Sequence, residues 1–189
     1  MKNKIFTITG PSGSGKTSIA NNIFSIDEHL VSFTTRPPRP GEVDGIDYYF
    51  LNENNISELE KEGDLIEHII YNGFHYGYTR SEIIEKLSQG DVVTVLTKEG
   101  VEDFLASEFS ENIVPFFIDI SLEKVKNNLK HRNDSEENIK KRISLFKEES
   151  LNKEWFENLN NSTIIRINDT DDVERASLKF KEYIKKQGE

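Results

Sequence analysis

A chain of 189 residues, 35% of them hydrophobic and with 12 Phe and 6 Tyr, carries apolar material for one core of α/β-domain size. Its 34 Asp and Glu against 24 Lys and Arg leave a formal net charge of -10, which excludes a generic nucleic-acid binder but permits a small anion held by local arginines. The absence of cysteine excludes disulfides, thiolate metal sites and cysteine nucleophiles, and no apolar run reaches the roughly 18 residues of a membrane helix.

The N-terminal MKNKIFTITG turns to glycine too early for a secretory signal, so a soluble cytoplasmic chain without a membrane partner is expected. Ile5 to Thr9 predicts a strand, rich in β-branched residues and followed at once by glycines. A helix follows Gly15, with Ile19, Ile23 and Phe24 spaced toward a core. Leu30 to Phe33 predicts a second short strand. From Thr35 to Thr79 the texture changes to proline, glycine and aromatics, and Asn72-Gly73 marks a tight hairpin. Thr79 and Glu82 form a candidate capping box for a helix whose face is Ile83, Ile84 and Leu87 and whose end is Gly90. Asp91 to Thr97 reads as a strand, Val101 to Ser107 as a helix, and Ile113 to Ile120 as a strand. Two helices are expected over Leu122 to His131 and Ser135 to Asn158, then a strand at Thr163 to Ile167 and a last helix over Asp171 to Lys186. Strands alternating with helices predict an α/β fold, a parallel sheet flanked by helices, interrupted by an inserted subdomain.

GPSGSGKT, Gly10 to Thr17, fits G-x-x-x-x-G-K-[ST] between a predicted strand and a predicted helix, where its mechanism requires it. Glycines let the backbone curl so that successive N–H groups point at phosphate oxygens, and the helix start adds partial positive charge. In such a loop the lysine reaches the β- and γ-phosphates and the threonine hydroxyl ligates Mg²⁺. Gly10, Pro11, Ser12, Gly13, Ser14, Gly15, Lys16, Thr17 and Ser18 are therefore the candidate contacts of a nucleoside triphosphate, with Thr17 the candidate metal ligand. A ligand-free glycine turn is the plainer alternative.

In TTRPPRPGEVDGIDYYF, Thr34 to Phe50, prolines at 37, 38 and 40 stiffen the loop that bears Arg36 and Arg39. A monophosphate carries about two negative charges near neutral pH, and arginine's planar fork meets it with two parallel charge-assisted bonds. Tyr48 and Tyr76 add hydroxyl donors, or else belong to the core of the insert. The residues alone leave this stretch between a surface turn and an anion site.

Together with LIEH, NGFHYGY, R-NDSEENIKKR and the IND of Ile167 to Asp169, these stretches resemble guanylate kinase nearly end to end. The pairing of TTR-x-P-R with GE-V-x-G-x-DY-x-F is the most specific of them. The resemblance implies a P-loop kinase fold in a single domain, 1–189: a core over 1–33, 80–121 and 151–189, a mixed α/β GMP-binding insert over 34–79, and a helical lid over 122–150. It implies transfer of the γ-phosphoryl group of ATP to GMP, and to dGMP, with Mg²⁺ as cofactor. Ser32, Arg36, Arg39, Tyr48 and Tyr76 would bind the acceptor phosphate, and Glu67 the guanine N1–H and 2-amino group, with Tyr78 and Thr97 at positions bordering the nucleoside. Lys16, Arg36, Arg39, Arg132 and Arg142 would carry catalysis by neutralising charge and aiming the acceptor, and Asn168 would lie near adenine. Read alone, Glu67 fits a surface strand, the two later arginines a solvated helix face, and Asn168 a turn.

The chain departs from the family in three places. Tyr78 stands where the family has Ser or Thr, so its longer arm or Thr79 fills that place, or the pocket differs; Thr79 also suits a helix N-cap. The family's D-x-D-x-Q-G becomes Val95-Leu96-Thr97-Lys98-Glu99-Gly100, leaving Glu99, or Thr17 with phosphates and water, to hold Mg²⁺. The lid is one residue short, so His131 or Arg132 fills its first arginine slot. These departures keep open a kinase for another phosphorylated acceptor, a nucleotide or a phosphosugar, whereas the intact phosphate loop argues against a non-catalytic binding module. The expected partners are ATP and GMP, with the chain a monomer or a self-assembled oligomer.

Overall fold

The computed structural model describes residues 2–131, 136–168 and 171–187. Its strands are β1 (Ile5–Thr9), β2 (Phe33–Thr34), β3 (Tyr49–Phe50), β4 (Leu65–Tyr71), β5 (Phe74–Thr79), β6 (Val92–Val95), β7 (Ile113–Ile120) and β8 (Thr163–Ile167). Its helices are α1 (Lys16–Ile23), α2 (Glu53–Glu62), α3 (Arg80–Gln89), α4 (Lys98–Ala106), α5 (Leu122–His131), α6 (Glu136–Glu157) and α7 (Val173–Gln187). A parallel sheet of order β6-β1-β7-β8 is flanked by helices, and a mixed sheet has the order β3-β2-β5-β4. The chain divides into two compact units, Met1–Ile5 with Ile26–Val93 and Glu99–Ile113, and Phe6–Ser25 with Thr94–Lys98 and Val114–Glu189.

In the second unit the alternation of β7 sends Phe116 and Phe117 to opposite faces. Phe116 meets Phe6 at 6.1 Å and Phe180 of α7 at 5.0 Å, while Phe117 meets Phe156 of α6 at 5.1 Å. Helices therefore cover both faces, and each such ring contributes roughly 1.5–3 kcal/mol of burial. Helix α6 is continuous through residues 150 and 151.

In the first unit, Asn72 (φ 51°) and Gly73 (φ 81°) make the left-handed turn that the Asn-Gly pair predicts. On β5, a Cβ at Gly77 would lie 2.0 Å from the Glu67 carbonyl oxygen and 2.7 Å from the Phe33 ring. Gly77→Ala is thus expected to destabilise the protein by about 3 kcal/mol through overpacking. An unchanged denaturant midpoint would refute this close approach.

Three expectations are corrected. The strand expected over Leu30 to Phe33 is a single bridge at His29 to Val93, with Phe33 and Thr34 joining the mixed sheet instead. Leu30 N–H donates to Val93 O, but the next amide, Val31, donates to the Glu82 carboxylate at 3.0 Å, which draws the backbone off the ladder. The capping box expected at Thr79 is half made: Thr79 Oγ1 accepts from Glu82 N–H, but the Glu82 carboxylate serves Val31 and the Tyr49 hydroxyl (2.9 Å) instead. Burial and Glu82 together push the Tyr49 phenol up to about 12. A reciprocal box forms instead at Asn52 and Asn55, opening α2, from a residue pair outside the usual Ser/Thr and Glu/Gln signature. Finally, α4 opens at Lys98 rather than Val101, with Glu99 in its first turn where negative charge is favoured.

Candidate functional site

The turn from β1 into α1 is shaped by glycines at positive φ: Gly10 at 151°, Gly13 at 83° and Gly15 at 88°. At Gly13 the positive φ favours glycine, and an added Cβ would also press on Leu129 (3.0 Å) and Val125 (3.1 Å) of α5. Lys16 Nζ donates to the carbonyls of Gly10 (2.6 Å) and Pro11 (3.1 Å), lying across its own loop. The Ser14 hydroxyl is buried and finds no hydrogen-bond partner among the described residues, and no side chain among them caps α1. An orphaned buried hydroxyl, an uncapped helix start and an ammonium over the loop are what a bound polyphosphate satisfies. Beside them a cavity of about 320 Å³ is lined by Ser14, Gly15, Ser18, Lys124, Asn128 and Asp171, among others. Asn168 is exposed, and its N–H donates to Asp171 (2.9 Å), whose carboxyl is held below its usual range chiefly by Lys179.

Helix α6 brings Arg142 to the loop, where its Nη1 donates to Ser12 Oγ at 2.9 Å. It also brings Glu149, whose carboxylate accepts from Ser12 N–H at 2.8 Å, and α5 adds Asn128, which donates to Gly13 O at 3.0 Å. Neither Glu149 nor Asn128 is named by the sequence reading. The signal for Glu149 was its position about two helical turns beyond Arg142, on one helix face. Arg132 lies outside the described residues, as does the side chain of His131, so the first lid slot does too. Among the described residues no three His, Asp or Glu converge to hold a metal, and Thr17 is exposed on the first turn of α1. That donor set fits an Mg²⁺ carried in on phosphate oxygens and taking one protein hydroxyl.

In the other unit, Arg36 is buried and its fork is held bidentately by Glu42, both contacts 2.9 Å, with Nη1 also donating to Pro37 O at 2.7 Å. The rings of Tyr48 and Phe50 lie 5.4 and 5.9 Å from the guanidinium carbon, and Tyr48 meets Tyr76 edge-on at 6.1 Å. The same Glu42 accepts from the Arg39 backbone N–H at 2.7 Å, and Arg36 holds its carboxyl below the usual range. The loop therefore owes its rigidity to Glu42 as well as to the prolines. The Arg39 side chain is exposed, and half-buried Ser32 uses its carbonyl to accept from Tyr49 N–H at 3.0 Å.

Glu67 on β4 is only 6% exposed, and burial, with repulsion from Asp103, pushes its carboxyl up to about 7. Its cross-strand partner on β5 is Tyr78, whose buried ring stands edge-on to Phe104 of α4 at 5.5 Å. Thr79 serves as the N-cap of α3. Thr97 is exposed between β6 and α4, with exposed Glu99 in the first turn of α4. One unit thus gathers the phosphate loop, Lys16 and Arg142, and the other gathers Arg36, Tyr48 and Tyr76, with Glu67 further along the same sheet.

A parallel sheet covered by helices, with a phosphate loop at its first strand-to-helix turn, defines a P-loop nucleotide-binding protein. The family model for guanylate kinase matches residues 2–187, and the chain belongs to the guanylate kinase family. It is 37% identical over 154 residues to the guanylate kinase of Methylobacillus flagellatus, covering 79% of this chain and 76% of that one. It is 38% identical over 151 residues to the guanylate kinase of Streptococcus agalactiae, covering 77% and 72%. The crystal structure of guanylate kinase from Anaplasma phagocytophilum superposes with a TM-score of 0.67 over 98% of this chain and 86% of that one; at 23% identity this bears on the fold.

Proposed function

We infer that this chain transfers the γ-phosphoryl group of ATP to GMP, giving ADP and GDP. The observation that carries the acceptor half is the buried carboxylate of Glu67. Guanine offers it two donors, N1–H and the 2-amino group; adenine offers no such pair and leaves the carboxylate unsatisfied, a mismatch that costs factors of about 10⁴ in sites built this way. Arg36, Arg39, Ser32, Tyr48 and Tyr76 take the acceptor phosphate, with Glu42 keeping the Arg36 fork in plane. The same phosphate and base make dGMP a second acceptor.

On the donor side the loop amides from Gly10 to Ser18 and Lys16 compensate the charge of the triphosphate, and Arg142 turns to it from α6 together with Arg132. Mg²⁺, held through Thr17, would supply further positive charge at the β- and γ-oxygens when bound. Asn168 borders the adenine side. The acceptor phosphate is itself a nucleophile, so no side chain has to remove a proton. Residues 34–79 act as the acceptor subdomain and 122–150 as the lid. No described helix is long and apolar enough to cross a membrane, and with a net charge of -10 the chain works on small molecules in the cytoplasm rather than on nucleic acid.

The test is ADP formation from ATP and Mg²⁺ with GMP, dGMP, AMP or a phosphosugar, one acceptor at a time. GMP and dGMP are expected to exceed the others by about a hundredfold or more. Turnover with AMP or the phosphosugar above that with GMP would overturn the Glu67 reading. Failure with every acceptor despite ATP binding would turn attention to Thr97, where the family has Asp, and to rescue by Thr97→Asp.

A further inference from the structure

The Ser12–Glu149 contact has no part in the function proposed above, and its reading rests on the assignment of the loop as the triphosphate site. Helix α6 holds Ser12 at two points: Arg142 donates to the hydroxyl at 2.9 Å, and Glu149 accepts from the backbone N–H at 2.8 Å. Amides of a phosphate loop are the groups that receive phosphate oxygens. The Glu149 carboxylate brings to Ser12 the two properties of such an oxygen, negative charge and an acceptor at hydrogen-bond distance. A phosphate oxygen aimed at the same N–H therefore competes with Glu149 and is repelled by it. Both side chains project from one face of α6, so displacement of one loosens the other's hold on Ser12.

We propose that Glu149 is a positioning residue that stands in for phosphate on the loop, and that nucleotide entry displaces it and lets Arg142 turn from Ser12 to the nucleotide. Occupancy of the loop and the swing of the helical arginine are then one event, which couples charge compensation to the presence of the triphosphate.

Calorimetric titration with ADP and with a non-hydrolysable ATP analogue, on the intact chain and on Glu149→Gln and Glu149→Ala, tests this. The alanine variant is expected to bind the analogue about tenfold more tightly, the worth of one charged hydrogen bond. The glutamine variant, which keeps the acceptor without the charge, is expected to fall between alanine and wild type. Unchanged or weaker binding in Glu149→Ala, with Glu149→Gln like wild type, would overturn the proposal and make Glu149 a strut that shapes the loop. Wild-type chain binding neither nucleotide would overturn the loop assignment itself.

Discussion

Lys16→Ala is expected to lower phosphoryl transfer by about a thousandfold or more and to leave GMP binding near its native value. The ammonium lies across the phosphate loop, 2.6 and 3.1 Å from the carbonyls of Gly10 and Pro11, and is the fixed positive charge of that turn. Charge that develops on a transferring phosphoryl group is stabilised by donors already in place, so its loss falls on kcat rather than on acceptor affinity. The groups assigned to GMP, Arg36, Tyr48, Tyr76 and Glu67, belong to the other compact unit and keep their own contacts. Coupled measurement of ADP release and calorimetry with GMP separates the two effects. Retained turnover would remove Lys16 from the reaction.

Glu67→Gln is expected to lower kcat/KM for GMP by about a hundredfold and at the same time to raise stability above neutral pH. An amide offers guanine one acceptor where the carboxylate offers two, and its NH₂ opposes the donors of the base. The stability effect follows from burial, which raises the folded-state carboxyl to about 7 from an ordinary value of 4.5. Between those values the folded chain holds a proton that the unfolded chain releases, so stability falls as pH rises through this window. Above it the ionised group costs up to about 3 kcal/mol. The variant should therefore unfold at higher temperature than wild type at pH 8 and at the same temperature at pH 5. For wild type the KM for GMP should fall between pH 6 and pH 8, because the ionised form is the one that accepts both donors. Equal melting temperatures at pH 8, with a pH-independent KM, would refute the buried acid.

Much of this was legible in the residues where the cause is local. GPSGSGKT specifies its turn through glycines, whose backbone enters the left-handed region without steric cost, and Asn72-Gly73 specifies its hairpin because asparagine tolerates that region and glycine favours it. Short continuous apolar, β-branched runs marked the strands of the parallel sheet to within a few residues, because burial on both faces imposes them. Thr79 was a visible N-cap, yet the partner of Glu82 was not, because a carboxylate goes to whichever unpaired donors folding leaves near it. Here those were Val31 N–H and the Tyr49 hydroxyl, both distant in sequence.

The same division runs through the candidate site. By itself the sequence determined which groups are present: a phosphate loop with its lysine, two arginines on a proline-bound loop, and a strand carboxylate, Glu67, to which only the family resemblance gave a role. Only the tertiary structure decided the state in which those groups stand. Glu42 closing on the Arg36 fork, Glu149 taking the Ser12 amide and the proton affinity of Glu67 arise from side chains and apolar surface brought together across the chain. A backbone turn follows from the steric limits of its own residues, whereas a charge takes its state from the solvent and partners that folding leaves beside it.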